Sequence, residues 1–316
     1  MFLTLDKLTR SFGERVAVNA LSLEIARGEV FGFLGPNGAG KSTTFHLLTG
    51  MLAPDSGEIR IDGQPAPPTS GRVRERLGVV FQEPSLDDKL TGLENLQLGA
   101  ALYGLSSAVA KERIARMLAL VELKDRAAET VDKYSGGMRR RLEVARVLLH
   151  HPEILIMDEP SRGIDQVTQR RIWEQLLELR RERRMTILLT THQPEEAEYC
   201  DRIAVLDEGR VIACDTPDAL RRMVGGDIVT LEPTGNAEAL RDQVMQGDAI
   251  LAPRVVDGSI VIEAPQGHTL IPRLVEKLGA GALKSVSMRR PTLGDVFVKL
   301  TGRGLHHETA TKKVNA

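Results

Sequence analysis

The run Gly35-Pro36-Asn37-Gly38-Ala39-Gly40-Lys41-Ser42 limits this chain to very few folds. It fits the phosphate-binding pattern G-x-x-x-x-G-K-[ST], whose meaning depends on what flanks it. Upstream, Glu29-Val30-Phe31-Gly32-Phe33-Leu34 is a short apolar run that reads as a buried strand. Downstream, Thr43 to Leu52 reads as the start of a helix. Strand, glycine-rich loop and helix together form the confirming context. The glycines let backbone N–H groups cradle phosphate oxygens, and the helix N-terminus favours negative charge. Lys41 reaches toward the outer phosphates, and the Ser42 hydroxyl is placed to ligate Mg²⁺. The stretch predicts a nucleoside triphosphate site.

The chain has 316 residues, enough for one large domain and a smaller one. Apolar residues make up 42%, but aromatics only 3%, too few for a surface that stacks on nucleic-acid bases. A net charge of −1 gives no general pull toward nucleic acid or anionic lipid, so no nucleic-acid partner is expected. Cys200 and Cys214 make neither a disulfide framework nor a metal set, which suggests a reducing cytoplasm. No apolar run reaches the roughly 18 residues needed to span a bilayer. Any membrane role would therefore need a partner that supplies the spans.

Short strands alternate with turns over residues 1 to about 85, including Leu3-Thr4-Leu5, Ser22 to Ile25 and Gly57 to Ile61. From about 86 to 150 the spacing is helical, notably over Lys111 to Val121 and Gly136 to His150. Strand character returns at Glu153 to Met157, Met185 to Thr190 and Arg202 to Leu206, with a helix over Val167 to Arg184. This predicts an α/β core of the P-loop NTPase type with a helical insertion, spanning 1–222. After Met223-Val224-Gly225-Gly226 the order becomes β-α-β-β-α-β over 227–302, with a turn at Asp257-Gly258. That order suggests a small α+β, ferredoxin-like domain. Residues 303–316 read as a polar tail.

Two further constellations carry chemistry. Ser135 is a good N-cap for a helix opened by Gly136 and Gly137. Each glycine costs a helix about 1 kcal/mol against alanine. The pair makes sense if something, such as a terminal phosphate, must approach the backbone closely; a merely flexible helix start is the plainer reading. Ile154-Leu155-Ile156-Met157-Asp158-Glu159 is a buried strand ending in two carboxylates. Beside a P-loop, Asp158 would hold Mg²⁺ through its hydration shell, and Glu159 would orient and deprotonate an attacking water.

With these motifs in order, residues 1 to about 222 resemble the ATP-binding subunits of ABC transporters. Gly35 to Thr43 matches the Walker A motif, and Gln82 the Q-loop. Tyr134 to Met138 matches the signature usually written L-S-G-G-Q. Met157-Asp158-Glu159 matches Walker B, Ser161 to Asp165 the D-loop, and His192 the switch histidine. Tyr134 to Leu142, Ser85 to Gly92 and Pro291 to Phe297 are similar to the daunorubicin-resistance and nodulation-type exporter ATPases, which often carry a small C-terminal domain.

The resemblance implies an ATP hydrolase using Mg²⁺ on the cytoplasmic face of the membrane, driving a separate transmembrane permease. It implies head-to-tail pairing with a second copy or a paralogue. Each ATP would lie between one P-loop and the partner's Ser135, Gly136 and Gly137. It further implies that Phe12 stacks on adenine, that Gln82 senses the γ-phosphate and Mg²⁺, that His192 bonds the γ-phosphate, and that Asp165 crosses the dimer seam.

Plainer readings stand beside these. Phe12 could be core, and Gln82 or His192 alone would be ordinary polar residues. Arg139, Arg140 and Arg141 wind around their helix, so solvated positions are expected, as for the run Arg180 to Arg184 at a helix end. Met138 replaces the usual signature glutamine, and Arg162 is an added cation in the D-loop with no evident purpose. The rival class is a soluble ATPase of the same superfamily acting on nucleic acid or ribosomes. Such proteins usually carry two nucleotide domains, coiled coils or zinc insertions, and this chain has one nucleotide domain, no heptad array and no cysteine cluster. The transported substrate is invisible in the sequence.

Overall fold

The computed structural model describes residues 1–83, 85–246, 252–256 and 258–305. The chain divides into two units, Met1–Thr216 and Pro217–Gly304. The first begins with an antiparallel pair, β1 (Leu3–Phe12) and β2 (Arg15–Ile25), followed by β3 (Val30–Leu34) and α1 (Lys41–Thr49). Next come β4 (Ser56–Ile61), the two-residue β5 (Gln64–Pro65), α2 (Gly71–Arg74) and β6 (Leu77–Val80). Three helices follow: α3 (Gly92–Leu102), α4 (Ser107–Leu120) and α5 (Gly136–Val147). The unit closes with β7 (Ile154–Asp158), α6 (Gln166–Arg183), β8 (Thr186–Thr191), α7 (Pro194–Ala197), β9 (Arg202–Asp207) and β10 (Arg210–Asp215).

Two sheets form from these strands. One has the order β2-β1-β4-β5 and is antiparallel; the other has the order β10-β9-β3-β8-β7-β6. In the second, β3, β6, β7, β8 and β9 run parallel, and β10 is an antiparallel edge. Every residue of β3, β7 and β8 is buried, the unbroken apolar pattern of strands covered on both faces. Helix α1 packs between the sheets, with Phe45, Leu47 and Leu48 in one core with Leu3 and Leu5 of β1 and Ile154 and Ile156 of β7. Gly50 ends α1 at φ 74°; a Cβ there would lie 2.7 Å from the Pro68 carbonyl oxygen, so only glycine serves. The helices α3, α4 and α5 pack on one another, and a Thr91–Glu94 capping box starts α3.

The second unit holds α8 (Pro217–Arg222), β11 (Asp227–Pro233), α9 (Ala237–Met245), β12 (Arg254–Val256) and β13 (Ser259–Ala264). It continues with α10 (Gly267–Leu278), β14 (Leu283–Arg289) and α11 (Leu293–Thr301). Its sheet runs β12-β13-β11-β14 with every neighbouring pair antiparallel, the order made by two split β-α-β crossings. Val229, Leu231, Ile260 and Ile262 meet Leu240, Val244, Leu270 and Leu274 from α9 and α10 in a separate core. Helix α11 was not anticipated, although Thr292 and Asp295 form its capping box; it packs on α8. The start of the strand expected from Ala249, Asp257 of the expected turn, and the tail from residue 306 lie outside the described residues.

Trp173 of α6 is buried and stacks on Tyr199, with ring centroids 4.8 Å apart and planes within 7°. Trp173→Ala is expected to cost about 3–5 kcal/mol in urea denaturation followed by circular dichroism. A loss below about 1 kcal/mol would contradict that packing.

Candidate nucleotide site

The register of the parallel sheet assembles the site. Leu34 pairs with Thr191 and Asp158 with Thr190, so the loops that leave β3, β7 and β8 emerge together. This is the carboxyl edge at which open α/β sheets bind ligands. The Gly35 N–H donates to the Thr191 carbonyl at 3.3 Å, holding the P-loop against the β8 end. Gly40 has φ 100°, and a Cβ there would stand 2.4 Å from the Ala17 carbonyl oxygen. Neither the backbone angle nor the space admits a side chain.

Lys41 is buried, and its Nζ donates to the carbonyls of Gly35 at 2.7 Å and Pro36 at 2.9 Å. An ammonium has three donors, so one remains for a ligand. Burial lowers its pKa, while Glu159 and Asp158 oppose that shift. A cavity of about 390 Å³ opens beside this lysine, lined by Phe12, Arg15, Ala17, Asn37, Gly38, Gly40, Lys41, Ser42, Thr43 and Glu159. Phe12 is 48% exposed and thus not core; the Arg10 guanidinium lies 5.1 Å from its ring centroid. Arg15 was not singled out from the sequence. It donates to the Gly38 carbonyl at 3.2 Å and brings a cation to the P-loop rim.

The two carboxylates occupy different surroundings. Asp158 is buried and accepts the Thr190 hydroxyl. Glu159 is half-buried, with Oε1 2.9 Å from His192 Nδ1 and Oε2 accepting from Gln82 Nε2 at 3.4 Å. Gln82, Glu159 and His192 therefore form one cluster at the cavity edge. The His192 contact is the main influence holding the Glu159 carboxyl below its ordinary range, against burial, which pushes it up. Glu159 also has φ 44°, a left-handed backbone that costs a non-glycine residue about 1–3 kcal/mol.

Ser135 accepts the Met138 N–H as the N-cap of α5, and Ser135 and Gly136 are exposed. Asp165 caps α6, accepting from Thr168 N at 3.0 Å and Thr168 Oγ1 at 2.7 Å. A Cβ on Gly136 would approach the Gly163 carbonyl to 3.3 Å, so signature and D-loop adjoin. Ser135, Gly136, Gly137 and Asp165 are not among the residues lining the P-loop cavity of their own chain. Arg162 is exposed, and its backbone N–H closes a turn on the Glu159 carbonyl at 3.1 Å.

The arginine run after the signature does not sit in solvent as expected. Arg140 is only 4% exposed and Arg141 donates to the Val121 carbonyl; Arg139 pairs with Asp88. Arg140 shares the inward stripe of α5 with Val144 and Val147, and the adjacent backbone offers carbonyls that need donors. In the later run, Arg180 donates to the Gly28 carbonyl and pairs with Asp201, and both terminal nitrogens of Arg183 are buried.

Comparison with known proteins places these observations. A family model described as ABC transporter matches residues 18–162. The chain is 41% identical over 309 residues to the Nod factor export ATP-binding protein I of Paraburkholderia xenovorans, covering 94% of this chain and 96% of that one. It is 36% identical to the linearmycin resistance ATP-binding protein LnrL of Bacillus subtilis, covering 95% and 98%. It is 37% identical to the daunorubicin resistance ATP-binding protein DrrA3 of Streptomyces coeruleorubidus, covering 95% and 96%. Among solved structures, cbiO1 from Clostridium perfringens, part of the ABC transporter complex cbiONQ, superposes with TM-score 0.64 at 30% identity. That match covers 71% of this chain and 94% of that one. The cassette MJ0796, solved as a dimer in a post-hydrolysis state bound to ADP and Pi, has TM-score 0.61 at 29% identity, covering 68% and 98%.

A P-loop site of this form on this fold defines an ATP hydrolase of the transporter-cassette class. The chain belongs to the ATP-binding subunits of ABC transporters.

The pH behaviour of the site follows from the His192 contact. A lowered Glu159 pKa means that the contact stabilises the fold above the ordinary glutamate range and stops doing so as pH falls through the lowered value. In His192→Ala the Glu159 carboxyl is expected to titrate at higher pH, read by carbon NMR of labelled glutamate with Glu159→Gln for assignment. An unchanged midpoint would exclude the contact as the cause.

Proposed function

We propose that this chain is the motor subunit of an exporter, pairing head to tail with a second copy around two ATP molecules and driving a separate permease at the cytoplasmic face of the membrane. The observation that carries this reading is the Gln82–Glu159–His192 cluster on the edge of the P-loop cavity. A carboxylate able to accept a proton, an amide able to orient a water and an imidazole able to pass a proton on stand beside a cradle for the terminal phosphate. The exposed signature and D-loop groups supply what each cavity lacks, the other side of the nucleotide. The relatives are named for export of Nod factor and for resistance to linearmycin and daunorubicin, which supports a cargo chosen by the permease rather than by this chain. No helix of the described residues is long and apolar enough to cross a membrane, consistent with spans supplied by a partner.

The residues divide the work as follows. Phe12 offers an exposed ring for adenine, and P-loop N–H groups and Lys41 take the phosphates. Glu159 draws the proton from the attacking water, and His192 holds the Glu159 carboxylate ionised while facing the γ-phosphate. Ser135 and the Gly136 and Gly137 amides serve the partner's γ-phosphate, with Asp165 at the seam. The oxygen donors Ser42 and Gln82, with buried Asp158 behind them, suit Mg²⁺, a hard cation that prefers such ligands. When bound, Mg²⁺ neutralises charge developing on the phosphates. Hydrolysis removes the contact that bridges the two copies, which releases the closed state.

Glu159→Gln is expected to lower ATP turnover by about 10²–10⁴-fold while retaining ATP binding. Tagged Glu159→Gln protein captured with ATP from solubilised native membranes should bring down a multi-spanning permease, identified by mass spectrometry. Recovery of ribosomal or DNA-repair proteins instead would replace the exporter reading with the soluble class.

We propose that the second unit regulates activity or supports the dimer. A chain ending at Thr216 should dimerise more weakly with ATP in sedimentation experiments, and equal dimerisation would remove that role.

A further inference from the structure

The buried pair Arg140 and Glu143 belongs to the signature helix, yet most of its hydrogen bonds go to other elements. Arg140 Nε donates to the Pro160 carbonyl at 2.9 Å and Nη2 to the Asp158 carbonyl at 3.3 Å. These two carbonyls stand on either side of Glu159. Nη1 donates to the Phe81 carbonyl at 2.5 Å, immediately before Gln82, and to Glu143 Oε2 at 3.0 Å. Glu143 Oε1 in turn accepts the Ser85 N–H at 2.9 Å and its hydroxyl at 3.1 Å. Arg146, one turn further, donates to the Ser85 carbonyl at 2.8 Å. The helix that opens with Ser135 thus grips the Gln82 loop at both ends and the backbone around Glu159.

We infer that Arg140 and Glu143 are positioning residues for ATP hydrolysis, holding Gln82 and Glu159 in register with each other and with the signature motif. The inference rests on Glu159 being the base. Three features support it. Glu159 is in a left-handed backbone, which persists only where the surroundings hold it, and the carbonyls of the residues before and after it are tied to one guanidinium. A guanidinium spreads its donors over a planar fork and can reach three carbonyls at once, whereas an ammonium acts as a point charge. Finally, a buried ion pair is a poor source of stability compared with apolar residues of the same volume, so geometry is the better account of its presence. Arg140 is 4% exposed and Glu143 0%.

The pair also gives the Gln82 loop and the signature a common support. A movement imposed on Ser85 is transmitted through Glu143 to α5 without passing through the nucleotide. If the Gln82 loop contacts the permease, Arg140 and Glu143 connect that contact to both Glu159 and the partner-facing Ser135.

The test is Arg140→Lys in the full chain, measured by ATP turnover, KM and amide hydrogen exchange of segments 81–85 and 157–162. Misplacement of a catalytic group by about 1 Å can cost 10²-fold, so kcat should fall about 10–100-fold with KM within about twofold. Exchange in both segments should quicken while the rest of the chain keeps its rates. If Arg140→Lys does not fold, Glu143→Gln, which keeps the side-chain volume, is measured the same way and should show the same split. Wild-type kcat in a folded variant, or quicker exchange throughout the chain, overturns the inference. The Glu159→Gln control separates the two readings. An active Glu159→Gln protein rejects the base; an inactive one beside a fully active Arg140→Lys protein rejects positioning alone.

Discussion

Everything in the site depends on the parallel pairing of β8 with β3 on one side and β7 on the other. The registers Leu34–Thr191 and Asp158–Thr190 fix where three loops leave the sheet, to within one residue. A slip of one residue in β8 would turn its side chains to the opposite face. Thr190 would then lose Asp158, and Gly35 would lose its bond to the Thr191 carbonyl. Burial on both faces makes such slips costly, because every residue of β3, β7 and β8 is enclosed. The apolar runs that looked merely structural in the sequence are thus what sets the spacing of the catalytic groups.

Around this frame the chain buries charge to an extent that stability alone would not favour. Lys41, Asp158, Arg140, Glu143 and Glu196 are all nearly inaccessible. Each is accommodated by specific partners: Lys41 by P-loop carbonyls, Asp158 by Thr190, and Glu196 by Ser161 of the D-loop. Burial pushes the Glu196 carboxyl up, with Ser161, Thr191 and Arg140 opposing. In a medium of low polarity such interactions are strong and directional, and an unpaired member is expensive. The result is that the segments carrying Gln82, Ser161 and His192 are tied by polar contacts to buried or half-buried carboxylates.

How much of this could be read from the chain alone follows from how local each signal is. The P-loop and Asp158-Glu159 could be picked out because their chemistry needs fixed residue types at fixed spacing beside strands, whereas Gln82 and His192 stood out only through the family resemblance. The change from parallel-strand runs to β-α-β-β-α-β was read at the Gly225-Gly226 pair, whereas the units divide at Thr216 and Pro217, ahead of α8. A short helix following a strand carries no sign of which unit it joins. Arg140 was misread for the opposite reason. Three consecutive arginines look solvated, and the carbonyls that recruit the middle one come from residues 81, 158 and 160, remote in sequence. A local signal did exist: Arg140 lies four and seven residues before Val144 and Val147 on the buried stripe, three before Glu143. Arg15 was hidden because a cation in a hairpin carries no motif, and its meaning comes from the P-loop folding beneath it. Helix α11 was passed over although Thr292 and Asp295 form its capping box.

The state of Asp165 bears on the proposed pairing, because neither it nor the signature residues line the P-loop cavity of their own chain. Its carboxylate is fully engaged as the cap of α6, where two bonds from Thr168 hold the pKa low. It therefore keeps its charge across the physiological range, presented on an exposed turn beside Gly136 and Gly137. Lys41 and Arg15 line the cavity on the other side of the fold's chemistry, with Glu159 the one carboxylate among the lining residues. One surface thus offers cations and N–H donors around the P-loop cavity, and another offers a helix N-terminus flanked by a fixed anion. Neither completes the other within one chain, since the signature residues are absent from the cavity wall. In the proposed pairing, two like-folded halves related by a twofold axis would satisfy both surfaces twice with one interface, the economical closure for a self-complementary pair. On that proposal the triphosphate would sit between like-folded halves, and the strained, braced Glu159 would lie where its hydrolysis parts them.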